Sequence, residues 1–310
     1  MPKVAIFGTF MMDLVAYTER RPNNGETIRG KTFAMALGGK GFNQAIASRR
    51  SGVETVMLGN LGNDDFGESF LKALKSERVH FSDIELHDDL STGVGHISVQ
   101  ESDGDNAIII IPQSNDRADH SYVDRHKKSI LDSNLLLIQN ELPISANIAA
   151  AKVAKEGKVK VILTPAPVGP MESLSGLCDV VIPNEGEAEA ITGISRNELE
   201  NQALALIDIF GCKEVVITLG PNGAFVKNSM ESILVSAPRV NAVDTVGAGD
   251  TMCANLASRL AQGDDLFTAV KYGVYAATLK VTRKGSAMSS PTPKEVYEFM
   301  KGKNEIHGDN

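Results

Sequence analysis

Residues 135–163 read LLLIQNELPISANIAAAKVAKEGKVKVIL, and this stretch decides the fold class. Leu135–Ile138 is a short unbroken apolar run, as expected of a strand buried on both faces. Ser145–Glu156 follows, rich in Ala and free of Gly and Pro, and Gly157 stands where a helix stops. Val159–Leu163 is a second apolar run. A strand, a covering helix and another strand make one unit of parallel sheet.

The same rhythm extends in both directions. Lys3–Gly8, Glu54–Leu58, Asp179–Ile182 and Glu214–Thr218 read as further strands. Asn43–Ser51, Asp65–Ser76, Glu185–Ile191 and Glu198–Phe210 read as helices. The expected fold is α/β, a central mostly parallel sheet flanked by helices. Thr27–Leu37 and Gly93–Ile111 break the rhythm, because both look like strands with no helix between. The second contains a hairpin-turn signal, Ser102-Asp103-Gly104-Asp105. These segments predict a small β-sheet lid, roughly 12–37 and 91–112, inserted in a single domain spanning 1–310. Beyond Gly249 the pattern is helical, and the tail from Gly302 is expected to fray.

Composition removes several classes of function. The chain has 310 residues, 42% hydrophobic and 23% charged, which excludes disorder, collagen and coiled coil. Thirty-one Lys plus Arg against 39 Asp plus Glu leave a net charge of −8, a poor match for nucleic acid. A small anion held by backbone amides remains compatible with that charge. Cys178, Cys212 and Cys253 are far apart and form no C-x-x-C, as expected of buried thiols in a reducing compartment. The six histidines show no metal-ligand spacing. No apolar run approaches the ~18 residues of a membrane span, and the expected location is cytoplasmic. Residues 25–32, GETIRGKT, match the P-loop pattern letter for letter. That motif requires a strand before it and a helix after it, whereas here Arg21-Pro22-Asn23-Asn24 is turn chemistry and two glycines follow closely. It is read as a loop without that function.

Three blocks carry chemistry. The first is Asp244-Thr245-Val246-Gly247-Ala248-Gly249-Asp250-Thr251, leading into the helical run Met252–Ala261. Small residues admit a ligand close to the backbone, and free N–H groups at a helix start attract an anion. Asp250 either caps that helix or accepts the proton of a hydroxyl beside the anion. The second is Gly38-Gly39-Lys40-Gly41-Phe42-Asn43-Gln44-Ala45, opening another helix. With Asp13, read as ending the first strand, it offers N–H groups, an amide and a carboxylate to a polyhydroxylated ligand. The third is Pro183-Asn184-Glu185-Gly186-Glu187, directly after a strand, a location Glu141 shares. Open α/β sheets bind ligands at such strand ends.

The first two blocks closely resemble the two signatures of the ribokinase-like (PfkB) carbohydrate kinases. Pro183–Glu187 resembles the family's N-x-x-E motif, and Ile217-Thr-Leu-Gly-Pro-Asn-Gly223 its nucleotide-side turn. Val281-Thr-Arg-Lys-Gly285 resembles the segment near its monovalent-cation site. The motifs stand in family order from Val4 to about Pro293. The resemblance implies ATP-dependent phosphorylation of the primary (5-) hydroxyl of a sugar, with Asp250 as base. Gly247, Ala248 and Gly249 would form the anion hole for the moving phosphoryl group. Met11, Asp13, Gly39, Lys40, Asn43 and Glu141 would line the sugar pocket. Asn184 and Glu187 would organise phosphate, water and Mg²⁺, and Thr218, Gly220 and Gly223 would lie along the nucleotide. Asp244, Val246, Lys280, Arg283, Gly285 and Ser289 match the positions of a K⁺ site. Exposed lid edges would invite pairing into a homodimer.

Where the family usually has Asn two residues before the Asp, to contact a sugar 2-hydroxyl, this chain has Met11. A thioether cannot donate as that amide does, but packs against a CH₂. Met11 also resembles the 2-deoxyribose kinases of the family, so 2-deoxy-D-ribose is favoured, with D-ribose next. A nucleoside or fructose kinase, or a non-catalytic sugar- or nucleotide-binding regulator, are the alternatives. Phe42 stands where Ala is usual, either reshaping the pocket wall or packing beneath the loop. Asn255 replaces a small residue one turn after Asp250, with looser helix packing expected.

Overall fold

The computed structural model describes residues 1–102 and 105–307. Asp103 and Gly104 of the expected hairpin turn lie outside the described residues. In chain order the first strands are β1 (Lys3–Phe7), β2 (Met11–Thr18), β3 (Thr32–Gly38), β4 (Glu54–Gly62), β5 (His80–His87), β6 (Val94–Gln100) and β7 (Asn106–Ile111). Then come β8 (Leu135–Gln139), β9 (Lys160–Thr164), β10 (Val180–Val181), β11 (Glu214–Thr218), β12 (Ala224–Lys227) and β13 (Ser232–Val235). The helices are α1 (Lys40–Arg50), α2 (Asp65–Ser76), α3 (His120–Leu131), α4 (Ile144–Glu156), α5 (Glu185–Thr192) and α6 (Leu199–Phe210). They end with α7 (Ala248–Ala261), α8 (Leu266–Lys280) and α9 (Pro293–His307).

Among the described residues, the large sheet has nine strands in the order β13-β12-β11-β10-β9-β8-β1-β4-β5. It is parallel from β5 to β11, and β12 and β13 close that edge antiparallel. Alternate residues of β1 face opposite layers. Val4 and Ile6 join a core with Phe42 of α1, Phe70 of α2, Met252 of α7 and Val270 of α8. Ala5 and Phe7 join one with Tyr122 of α3, Ala150 of α4 and Leu206 of α6. Burial on both faces is why these strands read as unbroken apolar runs. The chain leaves β1 towards β4 on one side and returns to β8 on the other, so a topological switch point lies between β1 and β8. The crevice beyond the carboxyl ends of these two strands is the place such a sheet reserves for a ligand.

The second sheet has the order β3-β2-β6-β7. Its β2–β6 pair is parallel, and its two outer pairs are antiparallel. Met11 and Met12 continue the apolar run of β1 in sequence, yet the chain bends out of the large sheet at Gly8–Phe10. The buried amide of Asn115 causes this, accepting from Phe10 N–H at 3.0 Å and donating to Phe10 C=O at 2.9 Å. Asp13 therefore sits third in β2, within the small sheet, and does not end the first strand as the sequence reading had it. The residues 25–32 lead into β3 with no helix, which agrees with rejecting them as a phosphate loop. Lys31 instead pairs with Glu101 and Glu19. Further down the chain, α9 passes straight through Gly302 to His307, where fraying was expected.

Phe42 packs beneath its loop. It is fully buried, and its ring meets Phe70 edge-on at 4.9 Å while Phe70 meets Phe10 at 5.2 Å. This trio welds α1 and α2 to the bend after β1. Phe42→Ala should lower unfolding free energy by about 3–5 kcal/mol, read from urea denaturation. A loss under about 1 kcal/mol would show that the trio does not hold the layer together.

Candidate active site

Two helices begin at the crevice. Gly39, at φ 90°, turns the end of β3 directly into α1. A side chain there would collide with the Thr9 carbonyl and the Met11 amide. Gly247 is the N-cap of α7 and takes a left-handed φ of 73°. Asp250 is thus the third helical residue rather than the cap, and its carboxylate turns towards α1. Asn43 Nδ2 donates to Asp250 Oδ2 at 2.9 Å, and Gln44 Nε2 donates to Oδ1 at 3.1 Å. Gln44 is itself oriented, because Gln139 Nε2 at the end of β8 donates to its Oε1 at 2.6 Å. Asn43 Oδ1 is buried without a hydrogen-bond partner among the described residues, which leaves an acceptor for an incoming hydroxyl.

The remaining sugar-side residues converge on the same crevice. Glu141, two residues beyond β8, accepts from the Thr9 hydroxyl and from the Lys40 backbone N–H. The Phe42 N–H donates to the Thr9 carbonyl at 3.1 Å. The first turn of α1 therefore presents fewer free N–H groups than the sequence implied, and holds a carboxylate in their place. Asp13 stands between Gly38 and Gly95 of its neighbouring strands, where a Cβ would strike its carboxyl oxygens. Burial, and then the charge of Glu141, push Asp13 up to about 6. Burial likewise raises Glu141, Glu187 and Asp250, each opposed by the Lys40 ammonium. Burial works against the Lys40 ammonium, but attraction to Asp250, Glu141 and Glu187 outweighs it and raises its pKa. One cation among these carboxylates keeps a water-poor crevice able to hold negative charge.

A cavity of about 180 Å³ contains Lys40, Gln44, Asn184, Glu187, Gly249 and Asp250. Asn184 and Glu187 form a capping box at the start of α5, so the N-x-x-E spacing also has a plain structural role. A larger groove of about 860 Å³ runs alongside, bounded by Gly220–Gly223, Ala237–Ala242 and one face of α8. Thr218, Thr245, Ala248 and Gly249 line both, so the two spaces meet at the first turn of α7. The Ala248 N–H already donates to the Thr245 carbonyl at 3.1 Å. Gly249 and Asp250 carry N–H groups that no earlier carbonyl of the helix can reach. A Cβ on Gly249 would enter open space, the space that a ligand would use. Met11 is 6% exposed, and its sulfur accepts from Asn115 Nδ2 at 3.5 Å. Asn255 lies buried one turn after Thr251, donating back to the Thr251 carbonyl at 2.8 Å. Thr9, Gln44, Asn115 and Gln139 complete the site. Sequence reading passed over their roles, and only Gln44 lay inside a motif.

The six positions matched to a K⁺ site come together beneath the α7 start, but several of their oxygens already accept hydrogen bonds and an ammonium stands among them. Lys280 is fully buried, and its Nζ donates to the Asp244 carbonyl at 2.9 Å. Burial lowers its pKa, opposed by the Asp244 carboxylate. The two Asp244 carboxylate oxygens accept from the Val246 and Gly285 N–H groups, each at 2.9 Å. Ser289 Oγ donates to the Gly285 carbonyl, the Lys280 carbonyl accepts from Arg283 N–H, and the Arg283 guanidinium turns away to Glu295. A second unit charge about 4 Å from the ammonium would meet roughly 4 kcal/mol of repulsion at an effective dielectric of about 20. These residues do not fit an added monovalent cation.

Residues 1–293 match the model of the pfkB family carbohydrate kinases. The chain is 33% identical over 301 residues to a ribokinase of Haemophilus influenzae, covering 96% of this chain and 98% of that one. It is 32% identical over 302 residues to a deoxyribokinase of Salmonella typhi, again covering 96% and 98%. The structure of an Arabidopsis thaliana ribokinase complexed with ribose and ATP superposes with a TM-score of 0.91 at 32% identity, covering 97% and 98%.

The raised Asp13 carboxyl makes stability depend on pH. In the unfolded chain it titrates near 3.8, in the folded protein near 6, so the fold prefers it protonated. Well below pH 3.8 both states hold the proton and nothing is lost. As pH rises from 4 to 6 the unfolded chain ionises first, and stability falls. Asp13→Asn should therefore raise the melting temperature at pH 7.5 by about 2–4 °C and leave it unchanged at pH 3.5. Equal shifts at both pH values would refute the assignment.

Proposed function

The chain belongs to the PfkB family of carbohydrate kinases, and we propose that it transfers the γ-phosphoryl group of ATP to the 5-hydroxyl of a pentose, 2-deoxy-D-ribose in preference to D-ribose. The observation that carries this reading is the Asp250 carboxylate, fixed by Asn43 and Gln44 where the small cavity meets the groove. ATP would lie in the groove, whose walls of Ala, Val and Pro suit a flat base, with its phosphates directed to the α7 start. The sugar would lie under the small sheet, with hydroxyls to Asp13, Asn43 and Glu141. In the reaction the 5-oxygen attacks the γ-phosphorus, Asp250 takes its proton, and the bond to the bridging oxygen of ADP breaks. A carboxylate raised by burial holds that proton better than one in water. The Gly249 and Asp250 N–H groups and the Lys40 ammonium stabilise the charge on the phosphoryl oxygens.

Mg²⁺ fits beside Glu187. One oxygen of that carboxylate accepts from Asn184 N–H at 2.8 Å, which leaves the other for a metal-bound water. Mg²⁺ binds through few carboxylates, several waters and substrate phosphates, and would neutralise phosphate charge. The small sheet acts as a lid that excludes water from the transfer. Its two outer strands both expose apolar side chains, Ile108–Ile111 on β7 and Phe33 and Met35 on β3, suited to a second copy of the chain. Three buried free cysteines suit a cytoplasmic enzyme.

Asp250→Asn should lower sugar-dependent ADP release by about 10²–10⁴-fold while ATP still binds, as calorimetry would read. Near-full turnover would rule Asp250 out as the base. Met11 presents a thioether where a 2-hydroxyl would need a partner, and an unpaired buried hydroxyl costs about 1–3 kcal/mol. Met11→Asn should move the kcat/KM ratio towards D-ribose by about ten- to a hundredfold, across a panel that includes fructose and nucleosides. An unmoved ratio would remove Met11 from the specificity argument.

A further inference from the structure

The turn Asp244–Gly247 carries the start of α7 and so sets where the Gly249 and Asp250 amides point. It is anchored almost wholly on the far end of α8. Val281 C=O accepts from the Val243 and Asp244 N–H groups at 2.7 and 3.1 Å, and Gly285 N–H reaches the Asp244 carboxylate at 2.9 Å. Lys280, in the last turn of α8, adds its ammonium on the Asp244 carbonyl at 2.9 Å. That ammonium is unusual. Its side chain is fully buried, and its hydrogen bond goes to a backbone carbonyl, with no ion pair to a carboxylate among the described residues. A buried lysine held by a carbonyl at the negative end of a helix is placed as a bound cation would be. An ammonium also matches K⁺ in charge and closely in size.

We propose that Lys280 is a tethered cation that replaces an external monovalent ion at this turn, so that the kinase works without K⁺. The inference rests on the phosphoryl-transfer reading for its kinetic arm only. Lys280 touches neither substrate nor reacting atoms; it is a positioning residue, fixing the Asp244 turn and through it the helix start. A K⁺ ion would bring a charge that is already there, and would have to share the Asp244 carbonyl with it. Removing the side chain would free the Asp244 carbonyl, and K⁺ from solution could then take the place of the ammonium.

The test compares the full chain, Lys280→Ala and Lys280→Met in KCl and in tetramethylammonium chloride at equal ionic strength. Melting temperature reads cation binding without any substrate, and ADP release with 2-deoxy-D-ribose or D-ribose reads turnover. The unaltered protein is expected to melt within about 1 °C in the two salts and to turn over within about twofold, as a protein that binds no K⁺ must. Lys280→Ala should melt higher in KCl, lose about tenfold or more of its turnover in tetramethylammonium, and recover part of it with K⁺. Lys280→Met, which fills the hole without charge, should be slow in both salts. K⁺-specific stabilisation or several-fold K⁺ activation of the unaltered protein would overturn the proposal, as would full turnover of Lys280→Met in tetramethylammonium. Should neither variant fold, the unaltered protein decides alone. Should no sugar be turned over in any salt, the kinase reading fails while the melting data still judge the cation.

Discussion

The crevice at the switch point depends on two hydrogen bonds, from Asn43 and Gln44 to the two oxygens of Asp250. They tie the first turn of α1 to the first turn of α7, two elements separated by some two hundred residues of chain. Each helix start is individually a weak attractor for negative charge. Joined at one carboxylate, they put a proton acceptor, free amides and the Lys40 ammonium within one small cavity. The topology makes this feasible, since the switch point between β1 and β8 opens the only kind of crevice where such loops converge in an open parallel sheet.

The large sheet was legible because its strands are buried on both faces and its helices end at glycines. Leu135–Leu163 alone displays both signals. The site was legible where chemistry forces composition, as in the small residues before Asp250. Other features were hidden for physical reasons. Val4–Met12 is apolar apart from Gly8 and Thr9, and the side chain of Asn115, from a distant turn, holds the bend that divides it into two strands of two sheets. Nothing local marks that role. The antiparallel strands β12 and β13 have four residues each, β12 alternating buried with half-buried and the edge strand β13 mostly exposed, so they lack the apolar continuity that revealed their parallel neighbours. Lys280 was placed near the right turn, but a sequence cannot tell whether a lysine offers its carbonyl or buries its ammonium.

Charge is handled locally throughout. On the proposed reading, a chain of net charge −8 would bind a polyanion through helix starts and a single lysine rather than through a basic surface. Glu141, Glu187 and Asp250 tolerate one another because each has a donor of its own and shares the Lys40 cation. Asp13, the one deprived of such a partner in its surroundings of glycine and strand backbone, is the one displaced to about 6. A sugar hydroxyl would supply the missing donor, so ligand binding and the relief of that unfavourable charge are the same event.

The amide chain behind Asp250 has a direction. Gln139 donates to Gln44, and Gln44 donates to Asp250, so the last group receives and never gives. That polarity is written at the end of β8, in the rigid sheet, before any substrate arrives. A hydroxyl arriving beside this pair meets acceptors only, the unpartnered Asn43 Oδ1 and the remaining lone pairs of the Asp250 carboxylate, and can satisfy only one of them with its single hydrogen. A crevice of acceptors would thus hold a substrate hydroxyl by its hydrogen and leave its oxygen lone pairs free to attack.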